Sequence, residues 1–551
     1  MIKHRVIKTL IKKLGDHFIL LTPKDPSFGD FALNFNNLVG TGRDLSDVSH
    51  LHDPSLFDRV EKKGTFINFF IKKEVLFQEL ETIIQKNEKY GREDARKKEK
   101  IIIEFAHPNT HKLFHIGHLR NIILGEALSR LMETKGHDII RANYQGDVGL
   151  HIAKCLWKIK SLPRAQSRSL KTIQEKIAFL GEAYAQGNKA YETDETAKKE
   201  IHDINRKIFE KDPEITSLWQ ETRAWSLEYF DYVYKRMRVE FDRLYFESEV
   251  TDRGKKMAEE ALAKGILKKS EGAVIFDGKP YDLDTRVFIN SKNLPTYEAK
   301  ELGLAEREFS EWGTIDRCIH VVGPEQASFF TVLFKVQELL NEKKYKSKQF
   351  HFIYGFVRLK TGKMSSREGT VVEGMWLIDE TKKKISDTFH TDSTKSELLA
   401  MAAVKYAFLK IDAKKDFTFD IHESVSLSGN SGVYVEYAYA RCLSILRKAK
   451  ELKQEMSQTK IVDFSPEEYA LMRELCRFPE VVDTASSHYS PHLITTYLFN
   501  LCQQFNLFYE RQPILKADKN LVYFRLKLTT ATSQIIKNAL HLLGIETVEK
   551  V

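Results

Sequence analysis

The chain has 551 residues, 42% of them hydrophobic and 11% aromatic, with 86 Lys and Arg against 77 Asp and Glu and a formal net charge of +9. That length exceeds what one core serves, so roughly three or four domains are expected; no apolar run nears the ~20 residues a bilayer span needs. Five separated cysteines (Cys155, Cys318, Cys442, Cys476, Cys502) with no C-x-x-C pair argue against a disulfide framework or zinc knuckle, and the positive excess suits a phosphate-bearing partner. At the N-terminus, scattered basic residues lack the apolar core and cleavage site of a secretory signal, so the cytoplasm is the expected compartment. No repeat of fixed period or low-complexity tract is evident. Residues 87–100 form a charged stretch without apolar periodicity, placing a boundary near residue 95. Ile101, Ile102, Ile103 and Phe105 then read as a buried parallel strand. After a loop with Pro108 and Asn109, apolar positions from 118 to 135 recur at helical spacing, Gly136 supplies the stop, and residues 139–144 read as a second strand. This strand–loop–helix–strand order is a βαβ unit whose first turn lies where open α/β sheets bind ligands. Residues 160–245 read as a charge-laced helical insertion. Strand-like pieces return at 273–276 and 318–322, and from about 386 nearly everything has helical period.

In the first turn stands His107-Pro-Asn-Thr-His-Lys-Leu-Phe-His-Ile-Gly-His-Leu-Arg-Asn121. Its His115-Ile-Gly-His118 core sets two imidazoles at a helix N-terminus, able to donate hydrogen bonds to phosphate oxygens, while Gly117 lets a nucleotide approach closely. Some 245 residues on, Arg358-Leu-Lys-Thr-Gly-Lys-Met-Ser-Ser-Arg-Glu-Gly369 offers Lys363 in a glycine-flanked loop suited to a departing pyrophosphate.

These stretches resemble the HIGH and KMSKS signatures of class I aminoacyl-tRNA synthetases. The resemblance implies ATP contacts from His115, Gly117, His118, Lys363, Met364, Ser365 and Ser366, with His115, His118 and Lys363 catalytic. The KMSKS pattern's second lysine is Ser366 here. Arginine-specific members lacking that lysine often carry one just ahead of HIGH, which makes Lys112 a further catalytic candidate; Arg367 is the other. The Ile103-Glu-Phe-Ala-His-Pro-Asn109 stretch resembles arginyl-tRNA synthetases in particular. By that likeness Glu104, Tyr297 and Glu301 line the guanidine pocket, and Asn109 and Gln326 hold the α-amino group. A guanidinium, with five donors and no acceptor, demands such acidic partners. Position 301 is usually aspartate in that family, and its tryptophan in the Asn143–Gly149 loop is Val148 here.

The resemblance covers essentially the whole chain. It implies an α/β fold with a Rossmann-like parallel-sheet catalytic domain at 96–385, carrying the insertion at about 160–245. An α+β N-terminal domain at 1–95 would contact the tRNA elbow, and an all-α anticodon-binding (DALR-type) bundle would fill 386–551. Tyr434, Tyr437 and Tyr509 align with aromatics that stack on anticodon bases. The expected activity is ATP-dependent arginine activation and transfer to tRNA(Arg), with Mg²⁺ accompanying ATP, no protein metal site, and a cytoplasmic monomer. Two alternatives stay open: another class I synthetase, such as the cysteinyl enzyme, opposed by the missing zinc-ligand cysteines; and an inactive tRNA-binding paralogue, opposed by the intact His115, His118 and Lys363.

Overall fold

In the computed structural model, residues 2–15, 18–23, 25–34, 47–92, 97–163, 169–360, 373–452 and 464–550 are described. The chain divides into two units: Met1–Glu93 with Lys384–Lys410 and His422–Val551, and Asp94–Lys383 with Ile411–Ile421.

The first unit opens with helix α1 (Ile2–Leu14) and a four-stranded antiparallel sheet in the order β1-β2-β4-β3. Its strands are β1 (Leu20–Leu21), β2 (Phe31–Asn34), β3 (Phe57–Lys63) and β4 (Phe66–Ile71), followed by helix α2 (Lys73–Lys86).

The second unit is built on strand β5 (Lys100–Glu104), where Ile101, Ile102 and Ile103 are each wholly buried. Covering each isoleucine contributes about 1.5–3 kcal/mol, and β-branching suits the pleated backbone. Helix α3 (Ile116–Thr134) and strand β6 (Asp138–Gln145) complete the βαβ unit. Between β6 and strand β7 (Arg243–Phe246) run helices α4 (Leu150–Lys160), α5 (Ile173–Thr193), α6 (Glu195–Phe209) and α7 (Pro213–Met237). Helix α8 (Glu247–Ala263) leads to a small antiparallel sheet of β8 (Lys268–Ser270), β9 (Ala273–Phe276) and β10 (Arg286–Ile289). Helix α9 (Tyr297–Glu311), strand β11 (Arg317–Val322), helix α10 (Ala327–Leu340) and strand β12 (Gln349–Ile353) follow.

The main sheet is all-parallel in the order β12-β11-β5-β6-β7. Because β6 and β11 flank β5 on opposite sides, the chain reverses its direction of travel across the sheet at β5. A crevice opens at the carboxyl ends of β5 and β11, as in other open α/β sheets. The register places Glu104 beside His320 across these strands.

Strand β13 (Val357–Leu359) ends just before the 361–372 segment. Helix α11 (Ser393–Leu409) belongs to the first unit, whereas strand β14 (Phe417–Phe419) returns to the second and pairs in parallel with β13. Beyond it the chain is helical: α12 (Gly432–Glu451), α13 (Pro466–Ser487), α14 (His492–Arg511) and α15 (Lys519–Leu542). Helix α13 starts at a reciprocal Ser465–Glu468 capping box, with Pro466 at its first position, where no backbone donor is needed. Buried Asp30 accepts from Arg473 Nε at 2.7 Å and Tyr469 OH at 3.0 Å, joining the N-terminal sheet to α13. Among the described residues, no helix is long and apolar enough to cross a membrane.

Candidate active site

The motif histidines begin α3. His115 is its N-cap: its Nδ1 accepts from the backbone N–H of Gly117 at 3.1 Å and of His118 at 3.3 Å, while the His115 N–H donates to His118 Nδ1 at 3.1 Å. With both Nδ1 atoms acting as acceptors, this network assigns each ring proton to Nε2. The rings stack with centroids 3.7 Å apart. Burial, then Lys112, pushes the His115 pKa down to about 4; burial, then His115, holds that of His118 well below the usual histidine range. The pair is therefore two neutral Nε2–H donors at the positive end of a helix, not two cations. Gly117 has a role beyond nucleotide approach, since a Cβ there would sit 2.9 Å from the His115 ring and block the cap.

The turn before α3 is strained, with Ala106 (φ 81), His107 (φ 47) and His111 (φ 64) in the left-handed region. Hydrogen bonds hold it there. Ala106 N–H donates to Asn121 Oδ1 at 2.6 Å, and Asn121 Nδ2 donates to the Val321 carbonyl at 2.7 Å. His111, wholly buried, bonds through Nε2 to Thr222 Oγ1 at 2.7 Å and through its N–H to Ser226 Oγ at 2.9 Å, bolting the turn to α7 of the insertion. Asn109 bridges to Gly146, where a Cβ would fall 2.1 Å from Asn109 Oδ1, so a side chain there would displace the Asn109 amide. Asp147 is a structural staple: it accepts from Arg223 Nε at 2.7 Å and Ser248 N–H at 2.8 Å.

A cavity of about 410 Å³ lies against these elements, lined among others by Asn109, His115, Gly117, His118 and Gln326. Tyr354, Phe356 and Val357 form another wall. Glu104, Tyr297 and Glu301 lie outside its lining, in a buried acidic knot with Glu308 of α9 and His320 of β11. Glu104 and Glu301 are 1% exposed, Glu308 0% and His320 2%. Neither Glu104 oxygen makes a well-formed hydrogen bond; its Oε1 lies 3.4 Å from Nδ1 of both His107 and His320. Burial alone would raise the Glu104 pKa, but His320, His107 and Glu308 together outweigh it and hold the carboxyl below its usual range. Burial, then the Glu104 charge, pushes Glu301 up to about 8 and raises Glu308 well above its usual range. Glu301 bonds to Tyr297, whose ring packs on Phe329 at 4.8 Å. The neighbouring Glu247 is matched by Lys300 at 2.5 Å.

Lys112 does not line the cavity; its ammonium lies 4.9 Å from the Tyr184 ring centroid of α5. Lys363, Met364, Ser365, Ser366 and Arg367 lie outside the described residues. Both flanks of their segment meet the histidine helix: His115 bridges to Glu373, the Gly374 N–H donates to the Phe114 carbonyl at 2.8 Å, and Arg120 reaches the β13–β14 pair. Arg120 was not singled out from the sequence. It is fully buried and donates to the carbonyls of Phe356 at 2.8 Å, Ala413 at 2.9 Å and Lys415 at 2.8 Å. A cation and an amide, Arg120-Asn121, flanked by the apolar Leu119 and Ile122-Ile-Leu124 were the available signal.

In the helical unit, Arg441 lies 4.8 Å from the Tyr437 ring centroid and 4.9 Å from that of Tyr509, both exposed rings. Arg441 also donates to Asn506 Oδ1 at 2.6 Å, and Asn506 donates to the half-buried Tyr434 hydroxyl at 2.9 Å. The three tyrosines thus share one patch organised by Arg441, another residue that sequence reasoning did not single out. Among the described residues, no group of three His, Cys, Asp or Glu side chains is arranged to hold a metal ion.

Residues 79–421 match the family described as tRNA synthetases class I (R), catalytic domain, and residues 435–551 match the DALR anticodon binding domain. An arginine–tRNA ligase from Treponema denticola is 32% identical, covering 98% of this chain and 96% of its own. One from Clostridium acetobutylicum is 31% identical over 99% of both chains. Among solved structures, an arginyl-tRNA synthetase from Thermus thermophilus superposes with a TM-score of 0.81 at 21% identity, covering 100% of this chain and 99% of that one. The Plasmodium falciparum arginyl-tRNA synthetase gives 0.77 at 20%, covering 100% and 98%, so both share the fold.

Proposed function

The chain belongs to the arginine-type class I tRNA synthetases, and we propose that it activates L-arginine with ATP and transfers the arginyl group to the terminal adenosine of tRNA(Arg). The observation that carries the substrate assignment is the buried acidic knot beside the histidine-lined cavity. Glu104 and Glu301 are carboxylates without a lysine or arginine partner among the described residues, the complement of a guanidinium.

Glu104, Glu301 and the Tyr297 hydroxyl take the guanidinium, and Asn109 and Gln326 take the α-amino group at the cavity wall. Held beside the triphosphate, an arginine carboxylate oxygen attacks the α-phosphorus in line; the bond to pyrophosphate breaks and arginyl-adenylate forms, with no enzyme nucleophile. The Nε2–H groups of His115 and His118 stabilise phosphate charge as it builds, and Gly117 keeps the helix end open. Lys363, within the segment Lys363-Met-Ser-Ser366, neutralises the departing pyrophosphate, with Lys112 supplying the charge absent at Ser366. Both flanks of that segment meet the histidine helix, which supports this reading. Mg²⁺ enters with ATP as part of the substrate. A terminal ribose hydroxyl of the tRNA then attacks the arginyl carbonyl, releasing AMP.

Residues 96–385 act as the catalytic domain and 386–551 as the anticodon-binding domain, where Tyr434, Tyr437 and Tyr509 stack on bases. Residues 1–95 contact the tRNA elbow. The enzyme works as a cytoplasmic monomer and requires bound tRNA for activation. Pyrophosphate exchange with each of the twenty amino acids, with and without tRNA, tests the assignment: exchange with arginine alone, and only with tRNA, is expected. Exchange with another amino acid removes the substrate reading, and tRNA binding without exchange removes the activity.

A further inference from the structure

Three carboxylates in the acidic knot share a space without lysine or arginine within 4 Å among the described residues. Glu104 comes from β5, while Glu301 and Glu308 come from one face of α9, seven residues apart. His107 enters from the turn after β5 and Tyr144 from β6; burial, then the nearby His320, lowers the pKa of His351 of β12. Tyr297 bonds to Glu301, and Cys318 Sγ lies 3.8 Å from Glu308 Oε2. Glu247, the next carboxylate outward, is already matched by Lys300.

His320 faces this group in an unusual way. Its Nδ1 lies 3.4 Å from Glu104 Oε1, an ion-pair distance without a well-formed hydrogen bond, and its Nε2 lies 2.9 Å from Gln349 Oε1 and 3.5 Å from Cys318 Sγ. The Gln349 amide nitrogen donates to Gln337 Oε1 at 3.0 Å, which turns the Gln349 oxygen toward the imidazole. Each ring nitrogen therefore faces an oxygen, an arrangement that suits an imidazolium carrying hydrogen on both. Phe330 and Phe334 pack on the ring with centroids 4.9 and 5.5 Å away, leaving His320 only 2% exposed.

Deepening the arginine assignment and resting on it, we propose that His320 is a positioning residue, the resident counter-cation of Glu104 in the empty pocket, and that arginine enters in exchange for a proton. A buried knot stays near electroneutrality because uncompensated charge in low dielectric is costly. The empty knot is neutral as ionised Glu104, imidazolium His320 and protonated Glu301 and Glu308. A guanidinium brings one positive charge, so one proton leaves for bulk water and the balance closes. His320 keeps Glu104 ionised for the incoming ligand, leaving a single proton to be shed.

The sign follows from Glu301, whose pKa lies near 8 in the empty knot. Below that pH the pocket carries the proton that must leave, so arginine binds more weakly as pH falls, about tenfold per unit. Replacing the imidazolium with a neutral amide raises the carboxyl pKa values further and moves this limb to higher pH. The test is titration calorimetry of the full chain with arginine and uncharged tRNA(Arg), in two buffers of different ionisation enthalpy, repeated across pH for wild type and His320→Gln. Release of about one proton per arginine is expected, with the limb displaced upward in His320→Gln. Equal heats in both buffers with a flat affinity profile overturn the exchange, and a limb unmoved in His320→Gln overturns the role of His320. The wild-type measurement stands even if the variant fails to fold. Absence of any arginine binding removes the substrate assignment itself.

Discussion

Replacing Arg120 with Met tests whether the histidine helix and the β13–β14 wall act as one body. The substitution keeps a long apolar stem but deletes the donors to Phe356, Ala413 and Lys415. A hydrogen bond from a charged donor contributes about 1.5–3 kcal/mol. Only Ala413 among the three acceptor residues is buried, at 3% exposure, whereas Phe356 is 49% exposed and Lys415 is exposed, so water can replace the donor at two carbonyls. The expected loss is therefore about 2–4 kcal/mol, less than the sum of three such bonds. Activity should fall further than folding accounts for, because Phe356 and Val357 line the cavity opposite His115 and His118. Denaturant unfolding gives the stability change, and pyrophosphate exchange under conditions where the variant is fully folded gives the rate. Arginine activation should drop at least about tenfold, equivalent to 1.4 kcal/mol of transition-state stabilisation. A stability loss below about 1 kcal/mol, or full exchange activity in the folded variant, would refute the reasoning.

Glu301→Gln should raise the KM for arginine by about 10- to 100-fold with the ATP KM unchanged, since one charged hydrogen-bond partner is lost; an equal rise for ATP removes Glu301 from the amino-acid side. His118→Ala should lower kcat for adenylate formation by about 10²–10³ in single-turnover measurements, and a change confined to KM contradicts its action on developing charge. Tyr509→Ala should weaken tRNA binding by about 1–3 kcal/mol in filter-binding titrations at fixed salt, leaving the stability of the bundle nearly unchanged because the ring is exposed. Burial, then Arg223, pushes the His111 pKa down to about 3, so the unfolded chain binds a proton that the folded chain refuses. Stability should fall as pH drops from about 6.5, by up to 1.4 kcal/mol per unit from this residue, and His111→Asn should remove about one proton from the slope of unfolding free energy against pH.

What the sequence made legible was local. The three isoleucines of β5, the glycine after α3 and the paired histidines are each readable within a few residues, because strand burial, helix stops and N-caps depend on near neighbours. The same holds for the helical period that recovers α12 to α15. What escaped depends on pairing across the chain. Arg120 meets Ala413 at a separation of 293 residues, and nothing near Arg120 announces that acceptor. Glu308 and His320 join Glu104 because the β5–β11 register sets His320 beside it and the helical repeat turns Glu308 inward. Lys112 reads as an arm of the nucleotide site in sequence, and its contact with the Tyr184 ring of α5 is another pairing that no near neighbour announces.

The left-handed backbone at Ala106, His107 and His111 carries an engineering consequence. Each such residue costs on the order of 1–3 kcal/mol, held in place by Asn121, Thr222 and Ser226. Glycine at 106 would relax that cost and give a hardier protein, and the same relaxation would let Asn109 and the histidine pair wander from the cavity. Thermostabilisation campaigns scored on melting temperature alone would select this change and lose turnover with it, so the three positions belong on the list of sites to leave untouched.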